Sequence, residues 1–177
     1  MNLQIRTETA ADFERIERVI IAAFSGAEHS DGDEHNLVKR LRHSSGFQPE
    51  LALVAEDAGE IVGHILFTPI VIRGARGQET ASLALAPVSV HPDFQGRGIG
   101  GALIGAGHDA AKAKRYTSVI LLGHESYYPR FGYKPAALWG IKAPFDVPEE
   151  AFMAIELVEG ALCDSAGSVV YPPAFGI

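Results

Sequence analysis

The spacing of hydrophobic and polar residues changes several times along this chain, and each change predicts an element. Leu3 and Ile5 alternate with polar neighbours, which indicates a short β-strand. Thr9 and Asp12 have the spacing of a capping box. Apolar residues then recur at helical spacing, so residues 10–24 are predicted to form an amphipathic helix. A second, shorter helical face follows at Leu37, Val38 and Leu41.

Three apolar runs in the middle of the chain predict β-strands over residues 51–56, 61–72 and 80–90. The first two runs flank a short glycine-containing segment, residues 57–60, which is typical of a hairpin turn. Pro87 falls inside the third run. Because proline has no backbone N–H to donate to a ladder, we expect this strand to be interrupted or bulged there.

The second half of the chain adds one long helix and further strands. Residues 99–115 are predicted to be helical, with an apolar face at Ile99, Leu103, Ala106, Ala110 and Ala113. The next apolar run, residues 118–123, is expected to pair in parallel with residues 80–90, because a helix joins the two. Residues 152–157 and the region around Val169 and Tyr171 predict the last strands. This order indicates an α/β (α+β) domain with a mixed sheet.

Length and charge narrow the possible functions. A chain of 177 residues fits one domain, residues 1–177. Its net charge of −7 argues against nucleic acid or an anionic membrane as a general partner. Cys163 is the only cysteine, which excludes an intramolecular disulfide. No signal peptide and no apolar run of membrane-spanning length is evident, so we expect a soluble, cytoplasmic protein.

A glycine-rich segment between a predicted strand and a predicted helix carries the clearest chemical signal. Residues 91–101 read His-Pro-Asp-Phe-Gln-Gly-Arg-Gly-Ile-Gly-Gly. A loop of this kind can direct backbone N–H groups and the positive end of a helix dipole at one phosphate or diphosphate, and Arg97 supplies a local cation. The alternative is a turn that only allows close packing of helix and strand.

Two phosphate-binding motifs fit this segment differently. Residues 96–101 satisfy G-x-G-x-x-G, and Glu125 falls near the distance of a ribose-binding acid. A dinucleotide fold, however, places its first glycine at the strand end, and too few βα units follow here. A P-loop is excluded because no Gly-Lys-Ser/Thr follows. The better interpretation is the pattern Gln95-x-x-Gly98-x-Gly100.

In this pattern the chain resembles the GNAT superfamily of acetyl-CoA-dependent N-acetyltransferases. Residues 88–100 are similar to that family's central strand and pyrophosphate loop. Residues 127–133, Tyr-Tyr-Pro-Arg-Phe-Gly-Tyr, are similar to the aromatic segment after its fifth strand. The ending, residues 167–175, resembles the bacterial YhbS-like branch.

The resemblance implies a mostly antiparallel central sheet flanked by helices, with one parallel β-α-β crossover and a splayed pair of strands. Acetyl-CoA is then the cosubstrate, with no metal, and the acceptor is a small-molecule or peptide amine that attacks the thioester directly. Tyr128 is implied as the catalytic acid. The implied cofactor-binding residues are Val88, Ser89, Val90, Gln95, Gly96, Arg97, Gly98, Ile99 and Gly100.

Several points stay open at this stage. The general base is not identified, although Glu28, Asp33 and Glu34 are candidates on an acidic loop. Many family members carry an Asn a few residues before the catalytic Tyr, and His124 or Glu125 stands in that region here. The spacing of His29, Asp31, Asp33, His35 and His43 matches no zinc or EF-hand motif, so no metal site is expected. A homodimer and a non-catalytic CoA-binding sensor remain alternatives.

Overall fold

The computed structural model describes all residues from 1 to 177. The helices are α1 (Phe13–Phe24), α2 (Glu34–Arg42) and α3 (Ile99–Ala113). The strands are β1 (Leu3–Thr7), β2 (Ala52–Asp57), β3 (Glu60–Arg73), β4 (Glu79–Val90), β5 (Ser118–Leu122), β6 (Lys134–Pro135), β7 (Ile141–Lys142), β8 (Phe152–Glu156) and β9 (Gly167–Val170). Short 3-10 turns join several of these elements.

The strands form an open and mostly antiparallel sheet in the order β1-β2-β3-β4-β5-β8-β6, with β9 pairing with β3 and β7. Parallel pairing occurs between β4 and β5, which α3 connects, and between β7 and β9. The predicted fold class and the predicted parallel crossover are therefore confirmed. The strands β6 and β7, two residues each, have no counterpart in the sequence prediction because they are too short to show a period.

The chain divides into two compact units. The first comprises Met1–Phe67 with Ala86–Ala110, and the second comprises Thr68–Leu85 with Ala111–Ile177. Both β3 and β4 contribute residues to each unit.

In the first unit, the capping box predicted at the start of the first helix is present, although residues 10–12 form a 3-10 turn before α1 begins. The buried carboxylate of Asp12 accepts a hydrogen bond from the Thr9 backbone N–H at 2.8 Å and forms an ion pair with Arg6 at 2.7 Å. The hydrogen bond from Arg6 holds the pKa of Asp12 well below its usual range, against the effect of burial. A second cation, Arg15, lies 2.9 Å from the same carboxylate.

Helix α3 packs on β3 along a face that differs in part from the prediction. Ile99, Leu103, Ile104 and Ala111 are buried, whereas Ala113, which was predicted on this face, is exposed. The glycine at position 107 permits the close approach, because a Cβ there would lie 2.2 Å from Cε2 of the Phe67 ring. Periodicity alone missed this shift, since α3 is rich in Ala and Gly and has weak amphipathic contrast.

Strand β4 is not interrupted at Pro87, which corrects one form of the sequence expectation. Its pairing is nevertheless irregular. The N–H of Gly74 donates to Gln78 at the hairpin, and the N–H of His91 donates to the Val62 carbonyl. Gly74 lies twelve positions after Val62 along β3, whereas His91 lies thirteen positions after Gln78 along β4. The extra residue in β4 is the signature of a β-bulge.

The second unit is built on β5, which pairs with β8 through five residue pairs from Ser118↔Glu156 to Leu122↔Phe152. The parallel ladder with β4 covers Leu83↔Val119 and Ala84↔Ile120. Ile70, Ile120, Phe152 and Leu162 are among the residues of its buried core.

Candidate functional site

The last residues of β4 alternate between two environments. Val88 and Val90 are half-buried, whereas Ser89 is 3% exposed. The hydroxyl oxygen of Ser89 is buried and has no hydrogen-bond partner on the protein. An unpaired buried hydroxyl costs about 1–3 kcal/mol, which makes Ser89 a residue that calls for a partner.

The loop after β4 is held by its own polar side chains. His91 caps the 3-10 turn over Pro92–Phe94, where its Nδ1 accepts a hydrogen bond from the Asp93 N–H at 3.2 Å. The side-chain amide of Gln95 donates to the Val90 carbonyl at 3.0 Å. Gln95 therefore fastens the loop to the strand end, and His91 has a local structural role.

The glycines of the loop adopt a backbone conformation that other residues rarely take. Gly96 has φ +75° and Gly98 has φ +80°, and a Cβ on either would meet open space. The carbonyl of Gly98 accepts the N–H of Ala102 at 3.0 Å, so α3 begins directly after it. The N–H groups of the first turn of a helix have no intrahelical partner and favour an anion. The loop thus leads directly into a helix N-terminus, where backbone N–H groups are available to an anion.

Arg97 is the cation of this loop. Its Nη2 donates to the Asp93 carbonyl at 3.0 Å, and its guanidinium lies 5.1 Å from the centre of the Phe94 ring. These two contacts keep a positive charge at the loop while leaving the side chain exposed.

In the second unit, Tyr128 begins a 3-10 turn over Tyr128–Phe131 and packs among aromatic rings. Its ring contacts those of Tyr127 and Tyr133 edge to face, with centroid distances of 5.0 Å and 5.9 Å. Burial raises the pKa of Tyr128 to about 12, and Tyr127 adds to the rise. The phenol is therefore protonated throughout the neutral range, so in acid–base chemistry it can give up a proton but not take one up.

The Tyr128 ring packs against Gly123, which has no side chain. A Cβ on Gly123 would lie 2.2 Å from Cε2 of Tyr128. His124 and Glu125 are exposed, and the His124 carbonyl accepts the N–H groups of Tyr127 and Tyr128 at 3.1 Å and 3.4 Å. Tyr133 is the fully buried aromatic residue of this segment.

Of the acidic candidates for a general base, Asp33 has the clearest structural role. It lies at the N-terminus of α2, accepts a hydrogen bond from Asn36 at 3.0 Å and pairs with Arg40 at 3.0 Å. The hydrogen bonds from Asn36 and Arg40 lower the pKa of Asp33, so it holds a proton less readily than an ordinary carboxylate. Glu28 is exposed and Glu34 is half-buried.

Sequence reasoning missed a buried polar cluster in the first unit. Glu8 comes directly after β1, Arg42 ends α2 and His64 lies on β3, and their side chains are 4%, 9% and 0% exposed respectively. Arg42 donates to both carboxylate oxygens of Glu8, and His64 Nε2 lies 2.9 Å from Glu8 Oε2. No local pattern could have indicated the cluster, because Glu8 and His64 are 56 residues apart.

Comparison with known proteins identifies the family. A model of the acetyltransferase (GNAT) domain matches residues 4–136. The chain belongs to the GNAT acetyltransferase family. This confirms the resemblance seen in the loop and aromatic segments.

Individual relatives agree with that result. The uncharacterized N-acetyltransferase YjhQ of Escherichia coli K12 is 40% identical over 118 residues, which cover 66% of this chain and 65% of YjhQ. The uncharacterized N-acetyltransferase YhbS of the same organism is 29% identical over 94% of this chain and 95% of YhbS.

Two solved structures are similar to the whole fold. The crystal structure of YhbS from Escherichia coli, in complex with CoA, superposes with a TM-score of 0.85 at 28% identity and covers 99% of this chain and 92% of that one. A GNAT family acetyltransferase from Brucella melitensis, in complex with acetyl-CoA, has a TM-score of 0.80 at 33% identity and covers 98% of each chain. The expected likeness to the YhbS-like branch is thereby confirmed.

None of the helices combines the length and the apolar character needed to cross a membrane. No three His, Cys, Asp or Glu side chains come together in a way that would hold a metal ion.

Proposed function

We propose that residues 1–177 act as one acetyltransferase domain that moves an acetyl group from acetyl-CoA to a primary amine. The observation that carries the proposal is the loop from Gln95 to Gly100, whose positive-φ glycines precede the N-terminus of α3. The CoA and acetyl-CoA complexes of the two structural relatives support the same cosubstrate.

The backbone of Gln95, Gly96, Arg97, Gly98, Ile99 and Gly100 binds the diphosphate in this proposal. Its donors are N–H groups, since Gln95 and Arg97 already use side-chain atoms to hold the loop itself. Arg97 adds a long-range positive charge beside the phosphates. Val88, Ser89 and Val90 provide backbone partners for the pantetheine arm, and one N–H of this strand stabilises the oxyanion that forms on the thioester.

The reaction is a direct attack in a ternary complex. The amine nitrogen bonds to the thioester carbon and gives up one proton, the C–S bond breaks, and CoA leaves as a thiol after its sulfur takes up one proton. An alkyl amine with a pKa of ~10.4 is neutral only about once in 2,500 molecules at pH 7, so it must first lose a proton. That proton passes to water or to a general base.

Tyr128 assists the departure of the thiolate as a proton donor. With a pKa of about 12 its phenol is a weaker acid than an alkyl thiol, whose pKa is ~8.5. Complete transfer of the phenolic proton is therefore unfavourable, and the main contribution of Tyr128 is a hydrogen bond that strengthens as charge develops on sulfur.

The acceptor is proposed to be a small-molecule or peptide amine, with no role for nucleic acid or a membrane. A net charge of −7 supports a cationic acceptor over a polyanionic partner. His124 and Glu125 are exposed and stay candidates for the pantetheine contact that an Asn makes in many relatives. A homodimer is compatible with every step.

The test is thiol release from acetyl-CoA across a panel of polyamines, aminoglycosides and amino-terminal peptides, together with calorimetric titration of CoA. Thiol release that depends on one class of amine supports the proposal and identifies the acceptor class. Binding of CoA without thiol release for any amine would overturn the transferase function in favour of a CoA-binding sensor. Absence of CoA binding would overturn both.

A further inference from the structure

The buried cluster of Glu8, Arg42 and His64 lies on one face of the first three strands. Glu8 follows β1, and its N–H donates to the Ala52 carbonyl. His64, on β3, lies opposite Val54 of β2. The guanidinium of Arg42, the last residue of α2, contacts both oxygens of Glu8 at 2.8 Å and 2.9 Å. Its other face lies 3.9 Å from the Phe13 ring centre.

The charges in this cluster decide the state of His64. Burial alone would raise the pKa of Glu8, but the hydrogen bonds from His64 and Arg42 outweigh it and lower the pKa to about 2. Arg42 then balances the charge of Glu8. Burial lowers the pKa of His64. The hydrogen bond and negative charge of Glu8 act in the opposite direction, but the positive charge of Arg42 offsets part of their effect and the pKa stays lowered. The His64 ring is therefore neutral at neutral pH.

Neutrality fixes the tautomer as well. A carboxylate can only accept, so the 2.9 Å contact with Glu8 requires the proton of His64 to be on Nε2. Nδ1 is then a lone-pair acceptor. This atom is buried and has no hydrogen-bond partner on the protein.

The register of β3 and β4 indicates which donor faces this acceptor. The hydrogen bond from the His91 N–H to the Val62 carbonyl pairs these two residues. Counting two residues along each antiparallel strand places Ser89 opposite His64, on the same face of the sheet. Ser89 carries the other orphan of this region, a buried hydroxyl with no partner on the protein.

We propose that the Ser89 hydroxyl donates to His64 Nδ1, which extends the cluster into a buried chain of four residues, Arg42, Glu8, His64 and Ser89. The bond requires a change of the Ser89 χ1 rotamer, a rotation about a single bond. Its function rests on the proposed cofactor role of β4. The chain fixes Ser89 from the side of α2 and so holds the backbone of Val88 to Val90 in the position that pantetheine requires.

His64 and Ser89 are thus positioning residues, and the first test needs no cofactor. In ¹⁵N-histidine NMR at neutral pH, we expect His64 to be neutral, protonated on Nε2, with an Nδ1 resonance that moves in Ser89→Ala. The matched control is Ser82→Ala, because Ser82 is a buried serine of the same strand whose partner is Ser118 at 2.7 Å. A cationic ring, an Nδ1–H tautomer or an unchanged Nδ1 resonance in Ser89→Ala would overturn the inference.

A double-mutant cycle measures the bond itself. His64→Gln can retain an N–H donor toward Glu8 but has no atom at the position of Nδ1. We expect Ser89→Ala to raise the equilibrium constant for unfolding by about threefold to tenfold in the natural background. In the His64→Gln background the same substitution should have little effect. Equal effects in both backgrounds would contradict a direct bond, as would a crystal structure with a water between the two atoms. If His64→Gln does not fold, the NMR comparison decides alone.

Cofactor binding then tests the consequence. Ser89→Ala and His64→Gln should each raise the Kd for CoA by about threefold to tenfold without additivity, while Ser82→Ala leaves it unchanged. A natural protein that binds no CoA would refute the proposed function and leave the NMR result standing. If the natural protein binds CoA and Ser89→Ala binds it with the same Kd, the positioning role alone is refuted.

Discussion

At the scale of single residues, the adjacent tyrosines 127 and 128 offer a matched pair. Both are half-buried and their rings are in contact, but the resemblance to the family assigns the reaction to Tyr128 alone. Tyr127 instead lies 4.8 Å from the guanidinium of Arg130 and packs on Phe131.

We expect Tyr128→Phe to lower kcat for thiol release by about 10- to 100-fold, because the departing sulfur loses a hydrogen-bond donor. The Kd for CoA should not change, since the ring still packs in the same place. Tyr127→Phe serves as the control and should retain its turnover. Equal turnover in Tyr128→Phe and the natural protein, measured with a thiol reagent, would remove Tyr128 from the mechanism.

Glu8 gives a residue-scale prediction about pH. Its pKa is lowered from 4.5 to about 2 in the folded protein, so folding favours the ionised form. This contribution, about 3 kcal/mol, is complete above pH 4.5 and is lost as the pH falls toward 2. Glu8→Gln should therefore destabilise the protein most at neutral pH, by about 3–5 kcal/mol, because Arg42 is left buried without its partner.

Denaturant unfolding between pH 3 and pH 7 measures this effect. The difference in unfolding free energy between Glu8→Gln and the natural protein should shrink as the pH falls through the acid range. Glu14→Gln is the control, since Glu14 is 88% exposed and lies 3.7 Å from Arg18. A difference that is constant with pH would show that the carboxylate of Glu8 is not stabilised by its neighbours.

At the scale of elements, two of the four glycines in helix α3 have opposite surroundings. A Cβ on Gly107 would meet the Phe67 ring, whereas a Cβ on Gly105 would meet nothing within 4 Å. We expect Gly107→Ala to destabilise the protein by about 1–3 kcal/mol, because the buried Phe67 must move. Gly105→Ala should stabilise it by about 0.5–1 kcal/mol through helix propensity.

Denaturant midpoints of the two variants settle the comparison. Loss of stability in both variants would indicate that α3 tolerates no added methyl group at either position. A gain in both would show that the helix moves away from β3 at little cost.

Most elements were predictable from periodicity, and the exceptions share a cause. Helix α1 begins at Phe13 rather than at residue 10 and ends at Phe24 as predicted, and α2 contains the predicted apolar face of Leu37, Val38 and Leu41. The buried face of α3 was misjudged at Ala113 because alanines mark a face only weakly. The missing donor at Pro87 predicted that β4 would be interrupted or bulged there, and the structure shows an unbroken strand with one extra residue between Gln78 and His91. The position of a β-bulge depends on the register between paired strands, and the sequence of one strand does not contain that register.

At the scale of the whole molecule, a ligand that binds only the folded chain must stabilise it. At a CoA concentration of 100 times Kd the gain is about 2.7 kcal/mol, which corresponds to a rise in Tm of roughly 5–10 °C for a chain of this size. Thermal denaturation with increasing CoA should show this shift.

The loop can be tested in the same assay with two glycine variants. Gly98→Ala and Gly59→Ala both place a Cβ at a positive φ with open space around it, +80° and +85° respectively. Both should lose some stability, but only Gly98→Ala should also lose the shift produced by CoA. An undiminished shift in Gly98→Ala would exclude the loop as the diphosphate site.

The sequence by itself determined the family and the loop, because the residues of a backbone-binding motif are contiguous and its glycines are needed for local conformations. It also determined Tyr128 as a candidate, since that residue lies in a short aromatic segment. Tertiary structure alone brought Glu8, Arg42 and His64 together and left His64 Nδ1 and Ser89 Oγ without partners. Such contacts depend on strand register and helix packing between distant segments, and no spacing along the chain encodes them.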